Sequence, residues 1–208
     1  MELITVTNQT MGQNVYLYFD PATKDGVVID PGGGTTHGII NAIERNGIKI
    51  KAILLTHGHY DHIGAANEIK AHTGAPICCH ELEKDMIEQP ELNLSVLTGG
   101  TIHVTADTLL TDEEVILIGN GALKVIHTPG HTPGGVCYYD EQSGILFAGD
   151  VLFKNSVGRA DLPGGNEKQL IEGIKSKLIV LDDDVKVYPG HGSSSVIGYE
   201  KENNPFLQ

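Results

Sequence analysis

Thr56-His57-Gly58-His59-Tyr60-Asp61-His62 is the stretch from which the rest of the chain can be read. It follows an apolar run over residues 51–55 that reads as a buried strand, and it leads into a small-residue helical pattern over 62–72 that stops at Gly74. His57, His59 and Asp61 alternate by two, so extended backbone puts their side chains on one side, and His62 turns in with the first helical turn. Imidazole nitrogens and carboxylate oxygens form the ligand set of a divalent ion such as zinc, manganese or iron. With 10 His and 13 Asp in 208 residues, three His and one Asp at four fixed positions arise by chance on the order of once in a thousand chains. Solvated loop histidines explain the cluster poorly, because crowded imidazoles repel when protonated and local structure requires none of them. The stretch is read as metal-binding.

Three more candidate ligands occupy equivalent places. His131 lies in Thr128-Pro129-Gly130-His131-Thr132-Pro133-Gly134 after a strand over 123–127, Asp150 ends a strand over 145–149, and His191 lies in Pro189-Gly190-His191-Gly192 after a strand over 185–188. Each stands at the carboxyl end of an apolar run, where the loops of layered α/β proteins gather and ligands bind. Five His and two Asp are enough for two metals, with Asp150 as the carboxylate able to serve both. Gly58, Gly130, Gly190 and Gly192 supply backbone freedom beside them.

Further strands are expected over 3–7, 15–19, 26–29, 115–118 and 134–139, separated by turn signals such as Pro31-Gly32-Gly33-Gly34 and Gly119-Asn120-Gly121. A helix over 36–46 stripes Ile39, Ile40 and Ile43 and ends at Gly47; another over 166–178 is N-capped by Asn166 with Gln169 three residues on. Sheets flanked by helices follow, in a mixed α/β or α+β class, but periodicity alone does not name the topology. No repeat or linker divides the chain, so one domain over 1–208 is expected. Hydrophobic residues at 40% and charged ones at 20% mark a folded chain. A net charge of −13 with no basic patch excludes a nucleic-acid partner. No apolar run approaches the ~18 residues of a membrane span, so no membrane partner is expected. Met-Glu-Leu-Ile-Thr-Val-Thr at the start has neither the basic nor the apolar region of an export signal, and Cys78, Cys79 and Cys137 form no disulfide framework. A cytoplasmic location is the expectation.

The run from His57 to His62, followed in order by His131, Asp150 and His191, resembles the metallo-β-lactamase superfamily, and within it the glyoxalase-II-like (hydroxyacylglutathione hydrolase) branch of short, single-domain type. Asp30-Pro31-Gly32-Gly33, the stretch from His127 to Gly134, and Gly158-Arg159-Ala160-Asp161 extend the resemblance over nearly the whole chain. It implies an α+β fold, a four-layer αββα sandwich of two mixed β-sheets flanked by helices, with the metals on one edge. It further implies that His57, His59 and His131 hold one ion, that Asp61, His62 and His191 hold the other, and that Asp150 is shared. The chain ends at Phe206-Leu207-Gln208, soon after His191, without the helical extension through which two-domain members bind glutathione.

Two metals about 3.5–4 Å apart lower the pKa of bound water toward ~7 and polarise a carbonyl. The expected reaction is therefore hydrolysis of a thioester such as S-lactoylglutathione, or another acylated low-molecular-weight thiol, by a metal-bound hydroxide that Asp61 helps to orient. Zinc is the first choice of metal, with iron or manganese as alternatives. An iron-dependent oxidoreductase similar to persulfide dioxygenases is the runner-up, with His57, His131 and Asp150 as its ligands, and a lactonase is the third reading. A true β-lactamase is disfavoured, since no export signal is seen and Asp150 stands where one major class has Cys. Ser193, Ser194 and Ser195 read as loop or cap, Asp30 as a loop-locking carboxylate, and Arg159 with Asp161 as an ion pair pinning its loop. Lys154 and Arg159 are the cations best placed to bind an anionic substrate, and His127 is the remaining histidine best placed to orient a ligand.

Overall fold

In the computed structural model, which describes residues 1–208, the apolar runs assemble into two six-stranded sheets. The first holds β1 (Glu2–Thr7), β2 (Asn14–Phe19), β3 (Asp25–Ile29), β4 (Lys49–Leu54), β5 (Ile77–His80) and β6 (Thr108–Leu110) in sequence order. Its pairings are antiparallel up to β3 and parallel from β3 to β6. Next come β7 (Val115–Ile118), β8 (Gly121–His127), β9 (Val136–Asp140) and β10 (Ile145–Gly149), an antiparallel meander. The hairpin β11 (Leu152–Phe153) and β12 (Ser156–Val157) stands apart; β13 (Lys186–Pro189) then pairs parallel to β10, and β14 (Ser195–Val196) closes that edge. Both sheets are mixed.

The two-residue period of a strand sorts the side chains into layers. On β2, Tyr16 and Tyr18 face the second sheet, while Val15, Leu17 and Phe19 face helices α1 (Thr36–Asn46) and α3 (Ala66–Thr73), which follows the short α2 (Tyr60–Ile63). The next helix, α4 (Lys84–Glu88), places Ile87 in that same outer cluster. Leu123, Val125, Tyr138 and Phe147 meet the tyrosines between the sheets. Ile126, Cys137, Leu146 and Ala148 point outward to Leu170 of α5 (Glu167–Gly173), to Ile174 and Leu178 of the turn that continues it, and to Ile197 of α6 (Ile197–Asn203). β2 is buried on both faces and therefore reads as an unbroken apolar run. The result is the expected αββα sandwich.

Three tyrosine hydroxyls cross the gap between the sheets. Tyr18 donates to Asp140 Oδ2 (2.7 Å), Tyr138 to Leu55 O (2.7 Å) and Tyr16 to Pro189 O (2.6 Å). Each buried hydroxyl finds a partner, as burial requires, for a net gain of about 1 kcal/mol apiece. Leu55 precedes Thr56-His57 and Pro189 precedes Gly190-His191, so two of these bonds fix strand ends that carry candidate ligands.

The helix expected over 62–72 is two helices, α2 and α3, broken at Gly64 and Ala65. Gly64 lies so close to the 30–34 loop that a Cβ there would stand 2.8 Å from Gly33 Cα, and Ala65 donates its N–H to Pro31 O (2.8 Å). That tertiary contact overrides the local pattern. The helix expected over 166–178 starts as read, with Asn166 accepting from Gln169 N–H (3.0 Å), but from Ile174 to Leu178 it widens to a π turn. All three cysteines are buried and unpaired, and no helix is long and apolar enough to cross a membrane.

Candidate metal centre

β4 ends at Leu54, and the chain bends at Thr56 and is extended at His59 before α2 begins at Tyr60. His57 and His59 thus project from a loop, and Asp61 and His62 from the first helical turn. His131 comes from the loop between β8 and β9, Asp150 from the end of β10, and His191 from the loop after β13. The structure brings all seven candidate ligands to one edge of the sandwich, six of them in two clusters and Asp150 between.

In one, ligand atoms of His57, His59 and His131 all lie within 4.8 Å of one another; in the other, those of Asp61, His62 and His191 do so. His59 Nδ1 and His131 Nε2 are 3.0 Å apart, as are His191 Nε2 and Asp61 Oδ2. Asp150 stands between the clusters: its Oδ1 is 3.4 Å from His62 Nε2, and its Oδ2 is 3.8 Å from both His131 Nε2 and His191 Nε2.

Hydrogen bonds on the far side of each ring decide which nitrogen faces inward. His62 Nδ1–H donates to Asp30 Oδ2 (3.0 Å) and His131 Nδ1–H to Arg159 O (2.7 Å). Thr56 Oγ1 donates to Asp30 Oδ2 (2.6 Å) and so accepts from His57 Nδ1–H (3.0 Å). In His57 and His131, Nε2 is then an unprotonated lone pair aimed into the site, and in His62 it becomes one when the ring gives up its second proton. His57 Nε2, His59 Nε2 and Asp150 Oδ1 are buried without any hydrogen-bond partner. Orphaned buried polar atoms are costly, and a divalent cation satisfies such acceptors. The residues fit a metal.

The electrostatics differ between the clusters. Burial and neighbouring imidazoles push His57 well below the ordinary histidine range and His59 down to about 3, and burial also lowers His131. Those three rings are neutral at pH 7 with lone pairs available. Burial would lower His62 too, but Asp150, Asp61 and Asp30 outweigh it and raise it to about 10. Burial is likewise outweighed at His191, raised by Asp61 and Asp150, and at Asp61, which His62 and His191 hold far below the usual carboxylate range. Without metal, a proton on His62 offsets the nearby carboxylates; a bound cation would take over that role.

Asp30 locks its loop, as the sequence suggested, by accepting Thr56 N–H (2.7 Å); its grip on His62 was not legible, because that contact joins residues far apart in the chain. Glu83, which no motif marks, is fully buried and accepts from Gly58 N–H (2.8 Å) and Gly134 N–H (2.6 Å). Arg159 and Asp161 do pair, bidentately at 2.7 and 2.9 Å, but at the surface; the part of this loop that positions a ligand is the Arg159 carbonyl. Lys154 and Arg159 are not brought together. Lys154 lines a hollow with Lys186, Tyr188 and Tyr199, whereas Arg159 lines another with Val157 and Phe206. His127 does not orient a ligand: its Nε2–H meets Pro133 O (3.0 Å) and its ring stacks on His80. A cavity of about 590 Å3 opens beside Asp61, walled by Tyr60, Met11, Val6 and Ile102.

Residues 9–191 match the model of the metallo-beta-lactamase superfamily. Hydroxyacylglutathione hydrolase GloC of Haemophilus influenzae is 38% identical, over 100% of this chain and 97% of its own length. Among solved structures, BLEG-1 B3 metallo-beta-lactamase superposes with a TM-score of 0.94 at 39% identity, covering 100% of both chains. TTHA1623, solved in a di-iron-bound form, gives 0.84 at 33% identity over 98% of this chain and 100% of its own. With sequence, fold and ligand set in agreement, the chain belongs to the metallo-β-lactamase superfamily, as a metallo-hydrolase with a His-rich site for divalent metal.

Proposed function

We propose that the protein hydrolyses the thioester of a small acylated thiol, with S-lactoylglutathione as the type substrate. The observation that carries this reading is the Asp150 carboxylate facing both clusters, His62 from one oxygen and His131 and His191 from the other. In this reading His57, His59 and His131 hold one ion, Asp61, His62 and His191 the other, and Asp150 both. The pair of ions, zinc in the first instance, supplies Lewis acidity for the carbonyl and water of lowered pKa.

The chain's own groups do the rest. Asp61 is ionised, partly exposed and at the mouth of the cavity, so its carboxylate can accept a hydrogen bond from water and hold that water's oxygen toward the thioester carbon. Val6, Met11 and Ile102 give that cavity an uncharged wall suited to the acyl group. Arg159, exposed in its own hollow with Val157 and Phe206, can exchange Asp161 for a carboxylate of the thiol carrier. The similarity to GloC over the full chain supports the same substrate class.

The test is anaerobic loss of thioester from S-D-lactoylglutathione with zinc-loaded protein; turnover absent from His59→Ala is expected. No turnover in protein confirmed to hold two zinc ions removes this substrate. The likeness to BLEG-1 favours a second reading, cleavage of a β-lactam amide, so nitrocefin belongs in the same assay. Iron-loaded protein is assayed alongside for oxygen uptake with a persulfide, since TTHA1623 was solved with iron.

A further inference from the structure

One buried carboxylate has no part in the chemistry above. Glu83 ends a 3-10 turn, Glu81–Glu83, directly after β5 of the first sheet. It is fully buried and forms no ion pair; a lone buried carboxylate is expensive unless its acceptors are used. Both are used, on two different loops: Oε1 takes Gly58 N–H at 2.8 Å and Oε2 takes Gly134 N–H at 2.6 Å. Gly58 separates His57 from His59, and Gly134 is the third residue after His131.

One side chain therefore joins the loop that follows β4 in the first sheet to the loop between β8 and β9 in the second. These are the two loops that supply the three-histidine cluster. The fit on either side is close. A Cβ on Gly134 would collide with Glu83 N, and one on Gly58 would stand 2.8 Å from Met86 Cγ in α4. Just before this turn, His80 at the end of β5 stacks its ring on His127 at the end of β8, where the second loop begins (centroids 4.0 Å apart, planes at 12°). Apart from Glu83 and the ligand pair His59–His131 itself, the first loop is tied to the start of β9 by the backbone bond from Val136 N–H to Thr56 O (2.8 Å). The loop of His191 is held separately, from β2, where Asn14 Nδ2–H donates to Pro189 O (3.2 Å) and Gly192 O (3.0 Å).

We propose that Glu83 is a positioning residue for the His57–His59–His131 cluster: its carboxylate fixes the separation of the two loops before any ion binds, and so sets the metal affinity of that cluster alone. This rests on the proposed metal reading of the site.

The test is Glu83→Gln, which keeps the shape but can accept only one of the two amides and turns an NH2 on the other. Zinc is titrated against a competing chelator in the wild-type protein and in the variant. Expected is a loss of about tenfold or more at one of the two sites, with the other unchanged. His191→Ala and His131→Ala backgrounds assign the site: the substitution weakens the zinc retained with His191→Ala and leaves the one retained with His131→Ala alone. Equal weakening of both sites, or of neither, overturns the proposal. A wild-type protein that binds no zinc overturns the metal reading instead.

A second measurement needs no variant. In metal-free wild-type protein, the Gly58 and Gly134 amides exchange with solvent as slowly as those of β4 and β9. Exchange at the rate of exposed loops shows that no clamp precedes the metal, and overturns the proposal even if Glu83→Gln fails to fold.

Discussion

Replacing Asp30 by asparagine isolates what orients His62. The backbone of Asp30 has φ 51°, in the left-handed region, which asparagine tolerates about as well as aspartate, so the change is one of charge and donor pattern. The carboxylate accepts three hydrogen bonds: Thr56 N–H at 2.7 Å on Oδ1, and Thr56 Oγ1–H at 2.6 Å and His62 Nδ1–H at 3.0 Å on Oδ2. The asparagine oxygen can keep the first. Its NH2 then faces two groups that were donating. The threonine hydroxyl can rotate, but His62 must either oppose two donors or move its proton to Nε2, the nitrogen that faces Asp61, Asp150 and His191. A buried hydrogen bond to a charged group is worth about 1.5–3 kcal/mol, and loss of such a ligand-orienting partner typically costs about 10–100-fold in metal affinity. Zinc titration of Asp30→Asn against a chelator should therefore show a fall of that size at the cluster containing His62, with the three-histidine cluster within about twofold of wild type. Two zinc ions bound with wild-type affinity would refute the reasoning.

Other consequences are equally specific. Gly190→Ala places a Cβ against Asp150 Oδ1 and 2.5 Å from His62 Cε1, so the variant should fold yet bind less than two equivalents of zinc; a full complement by elemental analysis would contradict the packing. Gly64→Ala puts a methyl 2.8 Å from Gly33 Cα, an overpacking that costs about 1–3 kcal/mol, so thermal unfolding should fall by several degrees, and an unchanged Tm would count against the close approach. Asp20 accepts from Ala22 N–H, Asn120 N–H and Asn120 Nδ2, which hold its carboxyl at about 2 against an ordinary value of 3.8. Its folded pKa is depressed, so its contribution to stability is complete above pH about 4 and lost as pH falls through about 2. Acid unfolding of metal-free Asp20→Asn should show a smaller loss over that window than wild type; parallel curves would deny Asp20 the role.

What could be read in advance follows the range of each interaction. The seven candidate ligands announced themselves because four lie within six residues and the other three each follow an apolar strand. β2 was legible because both faces are buried and its run is unbroken. β5 is only Ile77-Cys78-Cys79-His80, too short to show a period, and its membership rests on parallel pairing with β4 and β6. The break between α2 and α3 is set by Gly33, some thirty residues earlier, and no local signal at Gly64 reports it. Glu83 and the Arg159 carbonyl were invisible for the same reason: each acts on residues of another loop, through backbone groups that every residue possesses. Arg159 and Asp161 were read correctly as a pair, but spacing carries no information on exposure, and the pair proved to lie at the surface.

The central claim, that one edge of the sandwich holds two ions sharing Asp150, is tested most directly by anomalous diffraction at the zinc edge from crystals of zinc-loaded protein. The account predicts two peaks per chain, one among His57, His59 and His131 and one among Asp61, His62 and His191, each in contact with an oxygen of Asp150. A single peak, or a pair that leaves Asp150 untouched, would contradict it.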